Sequence, residues 1–163
     1  MGTRKVTLTP TAKYQKILMA HDGSEMSDKA LGHASYLSKA SGAELVILNV
    51  IDAEIMPPSF LLTFIKPGRS EDQAKEDLRN MMEGGVRQML EERVRACREL
   101  GVDNVSHLMR YGKPVEEIIT TAEANCDLIV MASSKITSSV HSLGSIARRV
   151  LDSTRKPVLI VHE

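Results

Sequence analysis

"LIVMASSKITSSVHSLGSIARRVL", residues 128 to 151, decides how this chain is read. An apolar run from Leu128 gives way to small and hydroxyl residues after Met131. Gly144-Ser145 follows, and Ser145 to Ser153 reads as a helix. The connector has three readings. It is a phosphate cradle, a decayed cradle, or a polar loop whose Ser145 caps the helix.

The same strand-to-helix alternation runs through the chain on both sides of this stretch. Ile17 to Ala20 is a short apolar run that ends at the turn signal Asp22-Gly23-Ser24. Ala30, Leu31, Ala34, Leu37 and Ala40 then recur at helical spacing, and Gly42 suits a C-cap. Leu45 to Ile51 is an apolar run interrupted only by Asn49, as in strands covered on both faces. A helical pattern runs from about Glu71 to Leu100, with Leu78, Met82, Met89, Leu90, Val94, Cys97 and Leu100 on one face. Gly84-Gly85 predicts a kink or a break into two helices there. "NVSHLMRYGKP", residues 104 to 114, is a weaker strand, with His107 at an edge or facing outward. Pro114 opens a helix with Val115, Ile118, Ile119 and Ala122 inward. "CDLIVMAS" and "KPVLIVHE" are further strands.

The order is therefore β-α-β-α-β-α-β-α-β. It predicts an open α/β fold, a five-stranded parallel sheet with helices on both faces. Ligands of such sheets sit beyond the C-terminal strand ends, where strand order reverses. The turn at Asp22 to Ser24, the strand end at Val50 to Asp52 and the stretch after Met131 should meet there.

Composition narrows the function. The chain has 163 residues, with 21 Lys+Arg against 21 Asp+Glu. A zero formal charge, no Trp, three Tyr and two Phe argue against a nucleic-acid binder. Cys97 and Cys126 lack metal-ligand spacing and read as small buried hydrophobes. No apolar run reaches membrane-spanning length and no signal peptide is visible, so a cytoplasmic protein without membrane contact is expected. Residues 1–13 read as a flexible lead-in and 14–163 as one domain. Within it, 55–69 is an apolar, proline-bounded insertion that reads as a loop, with a lid or partner surface as the alternative.

Four segments resemble the universal stress protein family, over residues 15 to 162. "KILMAHDGSEMSDKAL" is similar to its first strand, Asp-Gly-Ser and helix. "LVILNVID" is similar to its second strand, "GKPVEEII" to its Gly-x-Pro-x-x-x-Ile, and "LGSIARRVLDSTRKPVLIV" to its closing helix and strand. The resemblance implies a Rossmann-like fold of the adenine nucleotide alpha hydrolase type. It implies homodimers paired through the last strand, here residues 157–161. In some members it also implies ATP binding, through a Gly-x2-Gly-x9-Gly-Ser/Thr loop.

This chain departs from that loop. Ala132 and Lys135, or Met131 and Ser134 when counted back from Gly144, stand at the first two glycine places. A non-glycine in a left-handed position costs on the order of 1 kcal/mol. The resemblance places the backbone of Val50 at the adenine edge, and Asp22 at the ribose or at Mg²⁺. It places Met131, Ala132, Ser133, Gly144, Ser145 and Ile146 around the phosphates. Lys135 is added on chemistry, as a charge for the phosphates. From the residues alone, phosphate site and capped connector both stand.

Three functions follow. The first is a stress-responsive homodimer binding ATP with Mg²⁺. The second is a dimeric interaction module of the same family, without nucleotide, serving an unidentified protein partner. The third is an enzyme, and no constellation supports it. His141 is a lone histidine in a polar loop, and no Gly-x-Ser-x-Gly elbow occurs.

Overall fold

A computed structural model of the protein describes residues 13–52, 68, 70–133 and 143–162. Among the described residues, five strands alternate with four helices in the expected order. They are β1 (Lys16–Ala20), α1 (Glu25–Ser41), β2 (Glu44–Ile51), α2 (Glu71–Glu99), β3 (Val105–Tyr111), α3 (Pro114–Asn125), β4 (Leu128–Ala132), α4 (Ser145–Ser153) and β5 (Val158–Val161). All strand pairs are parallel, and the sheet order is β3-β2-β1-β4-β5.

The apolar runs become the inner strands because both their faces are covered. Ile17, Leu45 and Leu128 are in register and face α1 and α2. Leu18, Val46 and Ile129, one position on, face α3 and α4. Successive side chains alternate between two cores, so a buried polar residue in such a strand needs an internal partner, as Asn49 has in the His21 carbonyl. β3 and β5 are the sheet edges. His107 lies half-buried on the edge strand β3, as expected.

Local signals fix the helix ends. Ser24 caps α1 by accepting the Ser27 amide at 3.2 Å, and Gly42 ends it at φ 74. Pro114 occupies the first turn of α3. The buried stripe of α1 departs from expectation. It passes through Ser27, Ser35 and Ser38 as well as Ala30, Leu31 and Ala34, while Ala40 is exposed. Each buried serine has a partner. Ser38 donates to the Ala43 carbonyl at 2.6 Å, and Ser35 Oγ lies 3.3 Å from Cys97 Sγ.

The break expected at Gly84-Gly85 does not occur, and α2 runs unbroken for 29 residues. Two glycines cost roughly 1 kcal/mol each in a helix. Against that stand a reciprocal capping box at Ser70 and Gln73, and the burial of Ala74 and Leu78 before the pair and Leu90, Val94 and Cys97 after it. Both ends are anchored, so the glycines are carried through. Leu100 is not part of the inner face. It sits just beyond the last turn and is exposed.

The expected insertion and lead-in lie outside the described residues, apart from Lys13 and Gly68. No helix among the described residues is long and apolar enough to cross a membrane.

Candidate functional site

The chain lays β1, β2 and β3 outward in one direction, then places β4 on the other flank of β1. Strand order therefore reverses between β1 and β4. At the C-terminal ends of these strands is an open cleft of about 160 Å³. Its wall includes Asp22, Val50, Met131, Ala132, Gly144, Ser145 and Ile146. The three expected segments thus meet, although Asp52 is not in the wall. Ser133 is buried behind it, and Lys135 lies outside the described residues.

α4 opens with Gly144 as its N-cap residue and with no side-chain cap. The amides of its first turn, on Ser145, Ile146 and Ala147, are the donors that a helix leaves without intrahelical partners. All three residues line the cleft. Ser145 is the first helical residue and not the cap that one reading of the sequence expected. The Gly144 amide is not free either. It donates to Ser133 Oγ at 2.9 Å, which ties the start of α4 to the end of β4.

Asp22 stands across the cleft on the β1–α1 turn. Its Oδ1 accepts from the Ser24 amide at 2.9 Å and from Ser27 Oγ at 2.6 Å. Both of these bonds go to Oδ1, and the Ser24 side chain adds a further hydrogen bond to the carboxyl group. Burial works against the charged carboxyl, but the Ser24 and Ser27 hydrogen bonds outweigh it and hold its pKa below the ordinary value. Asp22 is a carboxylate at neutral pH with acceptor capacity left to offer.

Sequence reading missed several wall residues, among them His21, Ser27 and Asn49. His21 is the informative one, with a side chain that is 0% exposed. Its Nδ1 accepts from the Gly23 amide at 3.0 Å, so Nε2 must carry the hydrogen. Nε2 then donates to Asp28 Oδ1 at 3.0 Å. Asp28 is gripped from α2 by Arg93, Nε to Oδ1 at 2.9 Å and Nη2 to Oδ2 at 3.1 Å. The period of two could have revealed His21, since it follows Ile17 and Met19 onto the α1 face.

Burial lowers the His21 pKa. The Asp28 hydrogen bond and charge oppose this without reversing it, so the ring is neutral at pH 7. On acidification the unfolded chain takes up this proton near 6.5, before the native ring does. Stability from this group is complete above that pH and is lost as pH falls below it, by at most about 1.4 kcal/mol per pH unit. The urea midpoint should fall between pH 7 and pH 5.5, and this fall should be reduced in His21→Gln. An equal fall in both proteins would refute the assignment.

A family model described as the universal stress protein family matches residues 13–162. Universal stress protein YxiE of Bacillus subtilis is 33% identical over 151 residues, 91% of this chain and 99% of that protein. Universal stress protein MJ0577 of Methanocaldococcus jannaschii is 29% identical over 154 residues, 91% of this chain and 94% of that protein. The solved structure of MJ0577 matches with a TM-score of 0.74 and 26% identity, over 93% of this chain and 98% of that one. A universal stress protein solved in complex with cAMP shares the fold, with a TM-score of 0.65 and 21% identity over 93% of this chain and 98% of that one.

Proposed function

The chain belongs to the universal stress protein family, and from that premise we propose that it binds an adenine nucleotide, ATP with Mg²⁺, in the cleft between β1 and β4. One observation carries the reading. A carboxylate with acceptor capacity to spare and an uncapped helix N-terminus face the same cleft at the point where strand order reverses. The Val50 backbone borders the adenine, and Asp22 Oδ2 accepts from the ribose. The amides of Ser145, Ile146 and Ala147 take the phosphates, beside Met131 and Ala132. At about 160 Å³ the cleft holds part of the nucleotide and leaves the rest at its mouth. Mg²⁺ comes with the triphosphate. Among the described residues, no three His, Cys, Asp or Glu side chains converge to hold a resident metal.

The protein acts in this reading as a nucleotide-responsive regulator and not as an enzyme. Both His21 ring nitrogens are engaged, and Ser27 Oγ is bonded to Asp22 and not to His21. Among the described residues the cleft therefore holds no hydroxyl paired with a histidine base. Calorimetric titration with ATP and Mg²⁺ tests the reading, with micromolar affinity expected. Absence of heat, together with no thermal shift, would overturn it.

One observation favours the second reading, an interaction module without nucleotide. The Gly144 amide, a natural phosphate donor, is already satisfied by Ser133. The same titration separates the two.

Both readings include a homodimer. β5 is a half-buried apolar edge strand, which a second copy would cover by pairing. Leu159→Lys should halve the mass measured by light scattering while circular dichroism stays native. A native spectrum with unchanged mass would refute pairing through 157–161.

A further inference from the structure

His21 is bonded at every polar atom it has. Its amide donates to the Leu48 carbonyl at 2.8 Å, and its carbonyl accepts from Asn49 Nδ2 at 2.8 Å. Its ring spans from the Gly23 amide to Asp28. Asp22 lies between the two ends of the His21–Gly23 bond. Gly23 sits at φ 88, a conformation that side chains disfavour, so the turn needs both its glycine and something to hold it. The ring nitrogen supplies that hold. Asp28 fixes the ring in the tautomer that leaves Nδ1 bare, and Arg93 fixes Asp28.

We propose that His21 is the positioning residue of the cleft. Through Nδ1 it clamps the β1–α1 turn, so that Asp22 presents Oδ2 to the ribose hydroxyls of a bound nucleotide. The inference rests on the nucleotide reading above. It adds the source of ribose selectivity, which lies in a side chain that never touches the ligand. The hydroxyl of Ser27 complements the clamp by bonding the other Asp22 oxygen, Oδ1.

Two replacements separate the two ring nitrogens. Asparagine places an oxygen near the position of Nδ1, which keeps the Gly23 acceptor and gives up Asp28. Glutamine places a nitrogen near the position of Nε2, which keeps Asp28 and gives up Gly23. Wild type, His21→Asn and His21→Gln would each be titrated with ATP and with 2′,3′-dideoxy-ATP. Wild type and His21→Asn should prefer ATP by about tenfold or more, the scale of a hydrogen bond to a charged group. In His21→Gln the preference should collapse toward one, through weaker ATP binding with dideoxy-ATP unchanged. A full preference in His21→Gln would overturn the proposal. So would an equal loss for both ligands, which is what a merely structural role predicts.

The clamp can also be read without a variant. Long-range ¹⁵N–¹H NMR spectra of the wild-type protein should show His21 as the Nε2–H tautomer, and the Nδ1–H form would overturn the proposal. Wild type that binds neither nucleotide would overturn the nucleotide reading and the ribose role with it. The NMR spectrum would still report whether the clamp exists.

Discussion

Ile17→Ala should destabilise the protein by about 3 kcal/mol, within the roughly 2–5 kcal/mol seen for such truncations. Ile17 is 0% exposed on the central strand. Its neighbours in register, Leu45 and Leu128, are buried on either side. Ala30, Leu31 and Ala34 belong to the same core cluster. Hydrogen-bonded neighbour strands on both sides leave the site little room to collapse, so the lost side chain leaves a cavity. Net stability of a domain is only about 5–15 kcal/mol, so the urea midpoint should drop steeply. The melting temperature should fall by about 6–12 °C. Leu100→Ala is the control. It is 60% exposed, and truncation there should change stability by no more than about 0.5 kcal/mol. A shift for Ile17→Ala no larger than for Leu100→Ala would contradict this packing.

Gly144→Val should weaken ATP binding at least tenfold in the calorimetric titration. Gly144 has φ −55 and ψ 148, which any residue adopts, so backbone strain is not the cause. Space is the cause. Gly144 is buried, lines the cleft and opens α4, so a branched side chain there must enter the cleft or displace the first turn. Overpacking of this kind costs about 1–3 kcal/mol, and one decade of affinity is about 1.4 kcal/mol. Valine is also a poor N-cap, so the first-turn amides lose alignment as well. Urea unfolding of the variant separates loss of the site from loss of the fold. A folded variant with wild-type affinity would place the phosphates somewhere other than the α4 amides.

Strands and their order were legible because burial on both faces leaves a chemical trace: a run such as Leu45 to Leu48 has no polar member. Gly42 and Pro114 were legible for the same kind of reason, since each answers a local backbone need, whereas Ser24 was read only as a turn and Ser145 as the cap that Gly144 supplies. The α1 stripe was harder to read. Ser35 and Ser38 count as polar in sequence, yet each is small enough to pack and finds a partner. Gly84-Gly85 misled because propensity is local while the anchoring of α2 at both ends is not. At the site, the turn, the β2 end and the α4 start could be predicted to meet because topology alone brings them together. His21 could not be weighed, because its importance comes from Asp28 and Arg93, and Arg93 lies 65 positions from Asp28. The use of the Gly144 amide by Ser133 was likewise invisible before the end of β4 and the start of α4 were side by side.

β1 and β4 are neighbours across a great length of chain. The Gln15 and Lys16 amides both donate to Asp127 Oδ2, at sequence separations of 112 and 111. Closing so long a loop costs entropy before the contacts return anything, so this seam is expected to knit late in folding. β1, β2 and β3 can pair before it does, and a chain stopped at that stage has no cleft. Nucleotide capture would then certify a finished molecule, and newly made or heat-damaged chains would be silent to the ligand until the seam has closed.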